Sequence, residues 1–182
     1  MYRKSPFYLT DPGELDCMAI KLPFRRSDSQ SEWALLILLP HERAGLPKLI
    51  SQLRAPGQLA SAMGSKFHME SAHFYLPKFK LADEPMIDLK PILHECGMKK
   101  LFGGGDLSRL SQSCLSVTDA YHKAVLELDE EGVTAAAATF FTQGLSTRLP
   151  RTISVDHPFF FTLLCDSAVP VFVGHVVAPK WA

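Results

Sequence analysis

Few residues in this 182-residue chain are spaced so that they could do covalent or metal chemistry. Cys17, Cys96, Cys114 and Cys165 lie far apart with no CxxC pair, which reads as free or buried thiols rather than a zinc site or a disulfide framework. His94 and Cys96 stand two apart, too close to share one face of a helix, so no metal site is expected on them. No GxSxG elbow and no HExxH pair is present, and "FGGGDLS" lacks the Gly-Lys-Ser ending of a phosphate-binding loop. The expectation is a protein that is not an enzyme, with no catalytic residue, no cofactor and no metal. His122 falls on the apolar parity of a candidate strand, where a hydrogen-bonded core histidine is the plain reading.

The stretch that calls for another kind of chemistry is "EEGVTAAAATFFTQGLSTRLPRTIS", Glu130 to Ser154. Alanine has the highest helix propensity. The uncharged piece from Val133 to Phe141 is nevertheless shorter than the ~12 to 15 residues an isolated helix needs in water. The residues before it, "SVTDAYHKAVLELD", alternate: Ala120, His122, Ala124, Leu126 and Leu128 share one parity, and Tyr121, Lys123, Glu127 and Asp129 the other. That is a strand pattern. Continued past Gly132, the same period of two puts Val133, Ala135, Ala137, Thr139 and Phe141 on one face without a charge. Such a segment can become a strand wherever a slot opens beside it.

The elements that must position this stretch follow from composition and periodicity. With 47% hydrophobic residues and two tryptophans, the chain has enough apolar surface for one domain core. Lys and Arg number 19 against 19 Asp and Glu, with no basic block, so neither nucleic acid nor an anionic membrane is an expected partner. No charged-then-apolar stretch follows Met1, and no secretory signal peptide is expected within this chain. "CMAIKLPF" alternates as a strand does, and "WALLILLP" reads as a strand buried on both faces. "GLPKLISQLR" and "QLASAM" predict two short amphipathic helices, and "KFHMESAHFYLPKFKL" an extended stretch interrupted at Pro77. Asp88 predicts the cap of a helix carrying Leu89, Ile92, Leu93 and Cys96 on one face, with Gly97 near its end. "GGGDLSRLSQS" reads as loop. The apolar C-terminus is split by Asp166, Ser167 and Pro170 into runs too short to cross a bilayer, and reads as two buried strands joined by a turn.

Four segments, in order, resemble the C-terminal half of a serpin: "LPKFKL", "YHKAVLELDEEG", the small-residue hinge "GVTAAAAT", and "ISVDHPFFFTL" followed by "PVFVGHVVAP". "MAIKLPF" and "WALLILLP" match the family's central strands. The resemblance implies an α+β fold of mixed β-sheets with short helices and an exposed reactive loop. Residues 1–182 would form a partial serpin domain with the loop at about 130–154, and the N-terminal half, with the other wall of the insertion slot, would be absent.

It also implies a function, namely inhibition of a serine endopeptidase by a suicide-substrate mechanism once the domain is complete. The protease would cut the loop, and the loop would insert as a new strand with the acyl-linked protease attached, a case of strand addition. The hinge would be Glu130, Glu131, Gly132, Val133, Thr134, Ala135, Ala136, Ala137, Ala138 and Thr139, whose small uncharged members suit entry between strands. Lys78 would pair with Glu130 and hold the slot shut, and His122 would face the slot and hydrogen-bond a group of the absent half. By the spacing usual in the family, fourteen residues beyond Gly132 is Ser146, whereas counting back from Pro158 gives Thr147; the resemblance thus places the scissile bond at Ser146-Thr147, with Leu145 and Arg148 as alternative positions before the cut. The partner would be an elastase-like serine protease, or a trypsin- or chymotrypsin-like one if an alternative bond is used; a glycosaminoglycan stays open. Val133 and Thr134 depart from the usual threonine and glutamate, and Asp156 with His157 from a common asparagine and basic residue. The family resemblance favours an extracellular location, with a cytoplasmic one as the alternative. A non-inhibitory serpin and a truncated product without function are the alternatives.

Overall fold

A computed structural model describes residues 2–24, 31–80, 86–113, 115–128, 151–166 and 168–178. In chain order the elements are β1 (Tyr2–Thr10), β2 (Cys17–Pro23), β3 (Trp33–Pro40), α1 (Leu46–Leu53), α2 (Gln58–Met63), β4 (His68–Tyr75), β5 (Phe79–Lys80), β6 (Ile87–Asp88), α3 (Leu89–Glu95), β7 (Tyr121–His122), β8 (Glu127–Leu128), β9 (Arg151–Ser154), β10 (Phe159–Cys165) and β11 (Val169–Val176). The chain divides into two compact units, residues 1–79 with 128–182 and residues 80–127.

The first unit is built on a seven-stranded sheet in the order β11-β10-β3-β2-β1-β4-β9. Its ladders are antiparallel except for β4 with β9, which run parallel. From Ala34 to Pro40 every residue of β3 is buried, as its continuous apolar run requires. On one face Cys17, Ala19, Leu36, Leu38, Phe160 and Leu164 pack with Leu46 and Leu49 of α1 and Ala62 of α2. On the other, Ile20 pairs with Ile37 and Ile37 with Phe161, and these three are among the most fully buried side chains. Each such side chain contributes roughly 1.5 to 3 kcal/mol by leaving water. This central part of the sheet therefore holds the rest in place.

The order of strands forces this sheet to curl. β9 and β10 are five strand spacings apart, which on a flat sheet is about 24 Å. Only residues 155–158 join them, and such a link spans at most about 18 Å from Ser154 to Phe159. Curvature brings the β9 edge back toward β10 and places Val155, with no solvent exposure, inside the unit. Phe7 and Phe74, on the adjacent strands β1 and β4, pack with ring centroids 4.7 Å apart.

The two amphipathic helices, the break after Tyr75 and the Asp88 cap fall where the sequence predicts them. Asp88 accepts a hydrogen bond from Lys90 N–H at 2.9 Å, and Gly97 just past α3 has φ +88°, a conformation that glycine adopts without strain. Residues 103–113 contain no helix or strand.

Three expectations change. β11 is a strand but not a buried one: it forms the sheet edge, and Val169, Val171 and Val173 are exposed. Among the described residues, the strand expected before the hinge pairs at Tyr121–His122, with β6, and at Glu127–Leu128, with β5, and not between them. Residues 151–154 of the expected loop are strand β9, because Arg151–Ser154 finds partners at Ala72–Tyr75.

Candidate functional site

The described residues frame the stretch 129–150 at its two ends, and the hinge and scissile positions Glu130 to Thr139 and Leu145 to Arg148 lie outside them. Upstream, the chain arrives through β8. Leu128 is 4% exposed, and next to it Glu127 Oε2 meets Lys80 Nζ of β5 at 3.1 Å. Both charged side chains are more than half exposed, so the pair fixes register more than it adds stability. Phe79, the residue before Lys80, packs its ring 5.8 Å from Phe159 and 5.7 Å from Phe161. Within the first unit, Phe79 is therefore tied to the buried strand β10.

Lys78 is exposed in the turn between β4 and β5, and its expected partner Glu130 lies outside the described residues. His122 is exposed in β7 opposite Ile87. It is therefore not the core histidine that its parity predicts: the alternation holds from half-buried Ala124 and Leu126 to buried Leu128 and fails at Tyr121–His122, where the two-residue pairing with β6 leaves both side chains exposed.

Downstream, the chain re-enters the described structure at β9. Its ladder to β4 continues one residue further, where Val155 N–H donates to the Tyr75 carbonyl at 2.9 Å. Asp156 and His157 follow. The His157 ring places Nδ1 2.9 Å from Asp156 Oδ1 and Nε2 2.7 Å from the carbonyl of Pro40, at the end of β3. Arg43, three residues beyond Pro40, donates from Nη1 to Asp156 Oδ2 at 2.9 Å and from Nη2 to the Asp156 carbonyl at 3.2 Å. The hydrogen bond with His157, and after it those from Arg43, hold the Asp156 carboxyl below the ordinary carboxylate range. Sequence reasoning singled out Asp156 and His157 only as departures from a family pattern and missed Arg43. No local signal links Arg43 to Asp156, 113 residues away.

Among the described residues no three His, Cys, Asp or Glu side chains converge as a metal site would require. Of the four cysteines, Cys17, Cys96 and Cys165 are free thiols, and Cys114 lies outside the described residues. No described helix is long and apolar enough to cross a membrane. What the arrangement offers is mechanical: two anchors on the first unit's strands holding the ends of a long intervening segment.

Comparison with known proteins identifies the family. The model of the family Serpin (serine protease inhibitor) matches residues 1–179. This chain belongs to the serpin family. Alaserpin of Manduca sexta is 34% identical to it, over 98% of this chain and 45% of that protein. Antitrypsin of Bombyx mori is 30% identical, over 93% of this chain and 43% of that protein. Among solved structures, Cleaved Serpin 42Da superposes with a TM-score of 0.74 at 27% identity, covering 99% of this chain and 47% of its own. Uncleaved ovalbumin gives a TM-score of 0.78 at 24% identity, covering 98% and 44%, a likeness of fold alone. This serpin chain thus spans about half the length of the curated relatives it matches.

Proposed function

We propose that this chain is the loop-bearing half of a serine protease inhibitor whose stretch 130–150 is the reactive loop, acting as a suicide substrate by loop insertion when the domain is complete. The observation that carries the reading is the uncharged run Val133 to Phe141, whose small hinge residues repeat beyond Gly132 the period of two seen from Ala120 to Leu128. Insertion between strands requires side chains small enough not to overpack the sheet and free of buried unpaired charge. The energetics allow it: each added ladder hydrogen bond contributes roughly 0.5 to 1.5 kcal/mol, so a full strand rivals the ~5 to 15 kcal/mol stability of a domain.

The partner is a serine protease. Cleavage at Ser146-Thr147 presents a small residue before the cut and favours an elastase-like enzyme. Mass spectrometry of the released C-terminal peptide checks the bond: a peptide beginning at Thr147 is expected, and one beginning at Leu149 moves the cut to Arg148 and the partner to a trypsin-like enzyme. An extracellular setting follows from the same family reading.

The test of mechanism joins this chain to the remaining half of Alaserpin and incubates the complete domain with a panel of serine proteases. A complex that survives boiling in detergent is expected. Cleavage without a complex would favour a non-inhibitory serpin.

A further inference from the structure

We propose that Arg43, Asp156 and His157 form a proton-dependent clamp that holds the β9–β10 bridge closed and thereby fixes the downstream base of the reactive loop. The meaning for the loop rests on the inhibitor reading above; the clamp itself does not.

The hydrogen-bond chemistry of His157 supports the clamp. Nε2 faces the Pro40 carbonyl at 2.7 Å, and a carbonyl oxygen only accepts, so Nε2 must carry a proton. Nδ1 faces an Asp156 carboxylate oxygen at 2.9 Å, and a carboxylate also only accepts, so Nδ1 must carry one as well. The imidazolium alone satisfies both. A neutral ring keeps one hydrogen bond and turns a lone pair toward an oxygen at the other, and with only 11% of its side chain exposed it has little water to turn to. Imidazole is the side chain whose charge changes between about pH 5 and 8.

The surrounding charges leave this pair dominant. Asp156 is the anion on His157, and Arg43 holds that anion with two hydrogen bonds from the loop after β3. On the same loop His41 faces Asp11 at 3.7 Å, and Glu42 is exposed. Lys48 of α1 is occupied by Asp16 at 3.1 Å.

Location gives the clamp its leverage. Residues 155–158 are the short link that forces the sheet to curl, and the clamp ties that link to the end of β3, the most completely buried strand. When the proton leaves His157, the link loosens, and β9, paired with β4 at the sheet edge, loosens with it.

The test is hydrogen exchange by mass spectrometry on the 182-residue chain, corrected for intrinsic exchange rates, across Arg151 to His157 at pH 5.5 and 8.5. Protection in the wild type is expected to fall roughly tenfold at the higher pH, the effect of one charge-assisted hydrogen bond. Asp156→Asn should abolish that dependence, because an amide donates to a neutral Nδ1 while Nε2–H keeps the Pro40 carbonyl. Arg43→Gln should lower protection at both pH values and leave the dependence in place. Protection in the wild type that does not change with pH, or a dependence that persists in Asp156→Asn, overturns the clamp. In the complete domain, the stoichiometry of inhibition should rise with pH in the wild type and stay level in Asp156→Asn. A domain that shows the exchange behaviour but inhibits no protease keeps the clamp and overturns the inhibitor reading instead.

Discussion

Cys17 is fully buried in β2, and burial first, with the nearby charges of Asp11 and Asp16 adding to it, pushes its thiol from 9.0 up to about 12. A thiol that stays protonated is neither a nucleophile nor a ligand, so Cys17 is packing in a residue type that elsewhere does chemistry. Two consequences follow at this scale. Iodoacetamide at pH 8 should modify exposed Cys96 and leave Cys17 untouched until the chain is unfolded, which peptide mapping reads directly; early modification of Cys17 would show that β2 opens easily. The raised value also gives a sign. The folded state holds the proton more tightly than the unfolded one, so this contribution to stability is fully present below about pH 9 and is lost as pH rises toward 12. Denaturant midpoints between pH 8 and 10.5 should fall further in the wild type than in Cys17→Ala.

Elements differ in how much of them the residues announce. β3 was legible because "WALLILLP" has no polar residue to face water, and α1 because its apolar positions recur at helical spacing with Pro47 in the first turn. β1 went unread: Arg3, Lys4 and Pro6 interrupt any alternation, and it is strand because β2 and β4 supply its hydrogen bonds from either side. β11 was legible as a strand and misread as buried, since a valine-rich run does not reveal whether it lies in the middle of a sheet or at its edge. The clamp was the least legible feature, because its parts meet only once the sheet has curled. One close contact inside the sheet gives a test. A Cβ at Gly174 of β11 would lie 2.7 Å from Cζ and 2.9 Å from Cε1 of Phe161, whose ring is 2% exposed and cannot swing away. Gly174→Ala should therefore destabilise the chain by ~1 to 3 kcal/mol, while Val173→Ala, at an exposed position beside it, should change the denaturant midpoint much less. Equal midpoints for Gly174→Ala and the wild type would place β11 farther from β10 than described.

At the scale of the whole molecule, the proposed activity is one strand's move from loop to sheet, and parity decides what that move tolerates. Ala137 shares parity with Val133, Ala135, Thr139 and Phe141, the uncharged face that would turn to the core on insertion, whereas Ala138 lies on the other. In the complete domain, Ala137→Arg would carry a guanidinium into the sheet interior, and an unpaired buried charge costs several kcal/mol. Inhibition is a race between insertion and hydrolysis of the acyl bond, and each ~1.4 kcal/mol added to the insertion barrier slows it about tenfold. The acyl bond should then hydrolyse first, so that Ala137→Arg is cut and released as an ordinary substrate with a stoichiometry of inhibition at least tenfold above the wild type. Ala138→Arg, with its side chain turned away from the core, should stay within a few-fold. Both variants keep the loop's length and the residues around Ser146-Thr147, so the rate of first cleavage should match the wild type and isolates insertion as the step that changes. Equal damage from the two substitutions would overturn the parity assignment, and no damage from either would remove strand insertion from the mechanism of this chain.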